Sequence, residues 1–380
     1  MAAKRQTTRR DFLAGRSALQ AIADLPALDE AQAKLREAES MRNSENAADS
    51  TRATTENDAR SCLLQVSRTA MACEFRVLLA ATEQLHGTEA ALESLDLVEC
   101  LEDQLTVFRE DSELSRINRT AATGPVAAES RLFDLLQLAV GLYRATDGAF
   151  DITAGPLWKT WGFHHRAGRF PGQAEIDKAL VSVGSQWLTL DPGAATVSFE
   201  RPGLELNLGS IGKGYALDRC DELLGARGIE DFAIHGGMSS ILARGNRPGS
   251  ESGKGWTIVL RHPLRHDQKL LQVQLHNRAL ATSGSANQFF HFEGKRYAHV
   301  IDPRTGFPAD GLLSATVLAP TAAEADALAT AFFVMGADQT IAFCTARQDL
   351  AVILVCPGVR SGAVTLRTCG LAAAEWKRLS

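Results

Sequence analysis

Hydrophobic and polar positions recur with two different periods along this chain, and the changes of period divide it into elements. "CLLQVSRTAMACEFRVLLA", residues 62–80, alternates or runs apolar as a strand pair does. "TEAALESLDLVECLEDQLTVF" then carries helical periodicity with charged outer positions, and "RLFDLLQLAVGLYRAT" is a second such helix, closed by Asp147-Gly148. Farther on, "LELNLG", "FAIHGG", "WTIVLRHP", "LLQVQLH", "YAHVIDP" and "LLSATVLAP" read as strands, several ending in Gly or Pro, with a helix over "GYALDRCDELLGARG" among them. Strands and helices mix without regular βαβ alternation, which favours an α+β fold over a doubly wound sheet.

One more helix raises a chemical question. "TAAEADALATAFFVMG", residues 321–336, reads as amphipathic, with Thr321 and Glu324 as a T-x-x-E capping box and Gly336 as its stop. Asp326, Ala329, Thr330 and Phe333 follow the i, i+3, i+4, i+7 spacing of a buried stripe, so an acid and a hydroxyl one turn apart point at the core beside Phe332. A buried carboxylate must be protonated, paired or bound to a cation. Thr330 has two readings: a bond back to the carbonyl of Asp326, or, together with Asp326, a pair of hard oxygen ligands for Mg²⁺ whose other positions go to water and phosphate.

The chain has 380 residues, 45% hydrophobic and 22% charged, enough for one large core or two smaller ones. The formal net charge of −5 with scattered Lys and Arg offers no broad basic surface, which argues against a nucleic-acid partner. No apolar run approaches the length of about 18 residues that predicts a membrane span. The 7 cysteines contain no C-x-x-C pair and have mostly apolar neighbours, so they read as reduced core residues. Residues 41–60, "MRNSENAADSTRATTENDAR", lack aromatic and branched aliphatic side chains and read as a disordered linker. That leaves residues 1–40 as a polar helical arm and 61–380 as the folded domain. "TTRRDFLAG" resembles the start of a twin-arginine export signal, but no continuous apolar stretch follows, which favours the cytoplasm over the periplasm.

Three further constellations carry chemical groups. In "LNLGSIGKGYALD", Gly209, Gly212 and Gly214 follow a strand and open a helix beside Lys213, which reads either as an anion-binding helix start or as a tight turn. In "FAIHGGMSSILARG", Gly236 and Gly237 either let a ligand approach the backbone, with hydroxyls from Ser239 and Ser240, or simply form a hairpin turn. In "ATSGSANQFFHFEGKRYAHVIDPRTGFP", Ser283 and Gly284 end one strand, and His299 lies in another that leads into the Asp302-Pro303-Arg304-Thr305-Gly306 turn.

Taken together, these segments resemble the ApbE family, the FAD:protein FMN transferases or flavin transferases, over about residues 61–336. "LTVFREDSELSRIN", "TDGAFDITAGPLWKTWGF", "LGSIGKGYALD", "HGGMSS", "TSG", "HVIDPRTGFP" and "ADALATAFFVMG" follow the family's blocks in their order. The resemblance implies an ApbE-like fold of mixed or antiparallel sheets with helices around a cleft, an extended FAD in that cleft, a Mg²⁺ ion on its pyrophosphate, and transfer of the FMN half to a Thr or Ser hydroxyl of a target protein with release of AMP. It makes Asp326 and Thr330 the side-chain metal ligands, joined by the backbone carbonyl of Gly212, where the family usually has Ala. Lys213 and Asp218 would set the nucleotide pocket, Asn118 would lie near the flavin, and Gly236, Gly237, Ser283 and Gly284 would belong to the cofactor site. His299 is the candidate for handling a proton or stabilising the transferring phosphate, with Asp302 as the alternative base. The chain departs from the family after the glycine turn, which reads Gly-Gly-Met-Ser-Ser without the usual Asn or Asp, and after Ser283-Gly284, where "SANQFF" replaces a Tyr and a charged residue. Competing readings are a non-catalytic FAD-binding protein, a Mg²⁺-dependent FAD pyrophosphatase, and an unrelated hydrolase using His299 and Ser283, which lacks a G-x-S-x-G elbow.

Overall fold

The strand pair read from residues 62–80 opens a sheet whose spatial order is the order of the sequence. In a computed structural model of the chain, which describes residues 62–80, 84–165, 168–249, 255–285, 288–360 and 362–379, eight strands pair in succession. They are β1 (Leu63–Ala70), β2 (Cys73–Ala80), β3 (Phe232–Gly236), β4 (Ser240–Arg244), β5 (Arg278–Gly284), β6 (Ser314–Ala319), β7 (Ala351–Pro357) and β8 (Val364–Cys369). Every ladder among the described residues is antiparallel, which selects the antiparallel half of the expected architecture. The arm over residues 1–40 and the linker over residues 41–60 lie outside the described residues.

Long insertions supply the helices. Between β2 and β3 come α1 (Gln84–Leu105), α2 (Glu113–Thr120), α3 (Ser130–Ala145), α4 (Gly155–Thr160), α5 (Gln173–Leu180) and α6 (Gly212–Ala226); α7 (Ala322–Thr345) joins β6 to β7. Alternate residues of each strand face different cores. Val77, Ile234, Ala281, Val317 and Leu354 pack with the helices, whereas Ala233, Leu280, Leu318 and Ile353 pack with Trp256, Leu271 and Val273 of a small three-stranded sheet on the other face. Burial on both faces is why β6 and β7 read as nearly continuous apolar runs.

Local signals in α7 are borne out in part: the N-cap forms, but the Glu324 half of the capping box does not, and Gly336 interrupts the helix without ending it. Thr321 is the N-cap, its hydroxyl accepting the Glu324 N–H at 3.3 Å, and helical geometry breaks at Gly336 (φ 77°, ψ −179°) before resuming. The Glu324 carboxylate lies with Arg347 at 2.8 Å. The expected amphipathic character is not observed: Ala325, Ala327, Leu328, Ala331 and Phe332 are as buried as Ala329 and Phe333, because the helix is enclosed between the sheet and its neighbours. By length and composition α7 passes for a membrane span, yet half of its most apolar window is buried and it bends at Gly336.

Other expectations are corrected. Residues 204–208, "LELNL", join no ladder, since Asn207 N–H is taken by the Ile152 carbonyl and both backbone groups of Leu206 by a side chain. His299 lies just beyond its strand, Lys295–Ala298. All seven cysteines are free, but only Cys220 and Cys344 are buried, and Cys62 and Cys100 are exposed.

Candidate active site

Two helix starts, one hairpin turn and two strand ends converge on a cavity of about 440 Å³. Its polar wall holds Lys213 from α6, Ser239 from the β3–β4 turn, Ser283 from the end of β5, His299, and Asp326 and Thr330 from α7. Phe108, Phe150 and Trp158 supply apolar surface. The antiparallel order brings these together: β3, β4 and β5 are adjacent, and α7 crosses the same sheet.

Asp326 is the centre of the polar wall. It is only 5% exposed, and three groups reach it: the Ser240 hydroxyl donates to Oδ1 at 2.9 Å, the Gly214 N–H donates to Oδ2 at 3.1 Å, and Lys213 Nζ stands 3.4 Å from Oδ2. The acid is therefore paired, though by a long ion pair. Thr330 makes the bond back to the Asp326 carbonyl at a weak 3.4 Å, and its hydroxyl also meets Ser283 Oγ at 3.1 Å. One carboxylate and two hydroxyls thus stand together on the cavity wall.

His299 is largely buried and stands edge-on to Phe163. Its Nδ1 lies 3.2 Å from the Gln288 carbonyl. A carbonyl only accepts, so in the neutral ring Nδ1 carries the proton and Nε2 the lone pair. Burial holds the imidazole below the usual histidine range, and the nearby Lys213 charge acts in the same direction. Asp151, from the segment "TDGAFDITAGPLWKTWGF", also lines the cavity and accepts from the Thr153 and Ser185 hydroxyls at 2.7 and 2.6 Å, with burial pushing its carboxyl up.

Of the residues singled out from sequence, Lys213, Ser283, Gly284, His299, Asp326 and Thr330 line this cavity, and Gly212 lines an adjoining one that shares Lys213. Five lie off its wall, each with a local reason. Asn118 clamps Leu206, donating to its carbonyl at 2.9 Å and accepting its N–H at 2.8 Å. Asp218 accepts the Ala322 and Ala323 N–H groups at 2.6 and 2.8 Å, and burial pushes its carboxyl up to about 6 against these two bonds. Gly236 and Gly237 form the hairpin turn: a Cβ on Gly236 would lie 2.9 Å from the Phe75 ring, and Gly237 has φ +61°. The Asp302 carboxylate faces its own turn, accepting from Arg304 Nε and Nη2 at 2.9 Å each. That turn is anchored by Trp161 Nε1, which donates to the Gly306 carbonyl at 2.8 Å.

The sequence marks Gly214 as a helix-start glycine and Ser240 as a hydroxyl near a ligand, but it does not show that both hold the acid, Asp326. A signal for the first was present: five helical residues turn through about 500°, so Lys213 and Asp218 point about 140° apart, whereas Gly214 and Asp218 share a face.

Residues 71–354 match the ApbE family. A FAD:protein FMN transferase of Klebsiella pneumoniae (strain 342) is 33% identical over 279 residues, which are 72% of this chain and 84% of the relative. One from Haemophilus influenzae is 32% identical over 287 residues, 73% of this chain and 80% of the relative. Among solved structures, the flavin transferase ApbE from Vibrio cholerae superposes with a TM-score of 0.70 at 28% identity, covering 81% of this chain and 97% of that one. An ApbE protein from Thermotoga maritima gives 0.71 at 28% identity, over 80% and 96%. The sheet order, the cavity and these likenesses agree: the chain belongs to the ApbE family of flavin transferases.

Proposed function

We propose that this protein is a Mg²⁺-dependent FAD:protein FMN transferase that attaches FMN to a Thr or Ser hydroxyl of a target protein and releases AMP. The observation that carries this reading is the nearly dry carboxylate of Asp326, set beside the Thr330 and Ser283 hydroxyls on the wall of one large cavity. The donor set fits Mg²⁺, because its atoms are hard oxygens and Lys213 Nζ, a cation beside the acid, stands no closer than 3.4 Å. Among the described residues no group of three His, Cys, Asp or Glu side chains gathers to hold a metal, so remaining positions would fall to water and phosphate oxygens. Asp326 and Thr330 would hold the ion, with the Gly212 carbonyl beside them.

When bound, Mg²⁺ supplies neutralisation of charge on the phosphate oxygens. The chain's own residues do the rest. Lys213 adds a positive charge to the same wall, and the Ser240 hydroxyl and Gly214 N–H keep Asp326 aimed. The acceptor oxygen forms a new ester bond to the phosphorus of the FMN half, and the bond from that phosphorus to the bridging oxygen breaks, leaving that oxygen on AMP. His299 Nε2 takes the acceptor's proton. Asp302 is less suited to that task, since its carboxylate is engaged by Arg304.

Incubating the full chain with FAD and Mg²⁺, with and without an extract of its own cell, tests the reading. Fluorescent flavin bound covalently to an extract protein is the expected result. Free FMN and AMP without a target would instead identify a pyrophosphatase, and intact retained FAD a carrier.

A pH dependence follows from His299. The neutral ring is the active form, so transfer falls with acid only as the pH passes through a pKa below the ordinary 6.5. His299→Gln is expected to reduce transfer by about 10²- to 10⁴-fold and to remove that acid limb. An unchanged limb in the variant would rule out His299 as the base.

A further inference from the structure

Asp218 stands off the cavity wall, yet it is bonded to the helix that carries Asp326. The first amides of a helix have no acceptor within it, and they favour negative charge. In α7 the amides of the first three helical residues are shared out: Ala322 and Ala323 donate to Asp218, at 2.6 and 2.8 Å, and Glu324 donates to Thr321 Oγ1 at 3.3 Å. In α6 the third amide, Gly214 N–H, donates to Asp326 at 3.1 Å. Each helix therefore caps the other, with an acid of α6 on the first turn of α7 and an acid of α7 on the first turn of α6.

The two caps are mechanically linked. The helices approach so closely at Gly214 that a Cβ there would lie 2.0 Å from the Ala322 carbonyl oxygen, so neither can slide past the other without breaking both sets of bonds. Ala322 and Asp326 are one helical turn apart, and the place of the Asp326 oxygens follows the first turn of α7 rigidly. On the other helix, Gly214 and Asp218 are likewise one turn apart on one face.

We propose that Asp218 is a positioning residue for the transfer reaction: by gripping Ala322 N–H and Ala323 N–H it fixes α7 on α6 and thereby sets the geometry in which Asp326 receives Mg²⁺. Its metal-related part rests on the Mg²⁺ reading given above, whereas its mechanical part does not.

The test uses the full chain and its Asp218→Asn and Asp218→Ala variants, with Asp221→Asn as control. Asp221 lies one turn along on α6, and its carboxylate holds Arg244 at 2.7 Å. Three readouts are taken: amide hydrogen exchange at Gly214 without metal, the Mg²⁺ concentration that half-saturates transfer, and FAD binding without metal. Asp218→Ala is expected to speed Gly214 exchange and to raise the half-saturating Mg²⁺ about 10- to 100-fold, the scale for groups that orient a metal ligand. Asp218→Asn keeps one acceptor oxygen and is expected to fall between it and the parent, with FAD binding unchanged in both and Asp221→Asn like the parent. If Asp218→Ala fails to fold, Asp218→Asn carries the test. Parent-like Gly214 exchange and parent-like Mg²⁺ response in the Asn variant would overturn the proposal, as would loss of FAD binding in step with loss of Mg²⁺ response. If the parent transfers FMN without Mg²⁺, the metal reading fails and Gly214 exchange alone decides whether Asp218 positions the helix.

Discussion

Asp326→Ala is expected to lower flavin transfer by about 10³-fold or more, the scale of losing a preorganised electrostatic group at a reacting centre. The carboxylate is the charged ligand of the proposed metal site, and among the described residues no other acid in the cavity is placed to replace it. Asp151 is tied to Thr153 and Ser185, and Asp302, off the cavity wall, is tied to Arg304. The fold should survive. Removal strands the Gly214 N–H and the Ser240 hydroxyl, at about 1–3 kcal/mol for each buried group left without a partner, but Ala325, Leu328 and Phe332 still anchor α7 in the core. Asp326→Asn separates the two effects. Its one amide oxygen can still accept the Gly214 N–H while its N–H donates to the Ser240 hydroxyl oxygen, so it should melt closer to the parent, whereas a neutral amide is a poor Mg²⁺ ligand and transfer should still be lost. Full Mg²⁺-dependent activity in Asp326→Ala, measured as FMN bound to a target protein, would show the metal assignment to be wrong.

Gly214→Ala should be nearly as damaging without removing any functional group. Its Cβ would lie 2.0 Å from the Ala322 carbonyl oxygen, 2.4 Å from the Ala322 carbonyl carbon and 2.7 Å from Ala323 N, all backbone atoms that cannot swing aside. The helices must separate, which costs about 1–3 kcal/mol or more by overpacking and pulls Asp326 off the Gly214 N–H. Expected results are a lower melting temperature and a loss of transfer of at least about 100-fold, the cost of misplacing a catalytic group by an ångström. Gly141→Ala provides the contrast. It lies inside α3 with nothing within 4 Å of its added Cβ, and should stabilise by about 0.5–1 kcal/mol with activity intact. Parent-like transfer in Gly214→Ala would mean that close contact between α6 and α7 is not needed at the site.

Much of this was legible along the chain because it is local. The N-cap at Thr321, the break at Gly336, the turn at Gly236-Gly237 and the spacing of Asp326 and Thr330 each depend on a few neighbouring residues. The acid on α7 stood out because a charge on a buried stripe needs a partner. What could not be read was which partner it has. Ser240 and Gly214 come to Asp326 from 86 and 112 residues away.

The same division explains the corrections. Residues 204–208 have the pattern of a strand, but pairing needs a neighbouring backbone, and the partner that arrives is the side chain of Asn118, 88 residues earlier. Asp218 belongs to a family block beside Lys213, yet helical geometry turns it toward α7. The amino-acid sequence by itself determined most of the element types, the family blocks and the identity of the buried acid, since these rest on periodicity, caps and turn chemistry within short windows. Only the tertiary structure decided which groups share the cavity and which hold its walls. Those contacts join residues far apart in sequence, and their geometry exists only when the sheet has assembled and α6 and α7 have closed at Gly214.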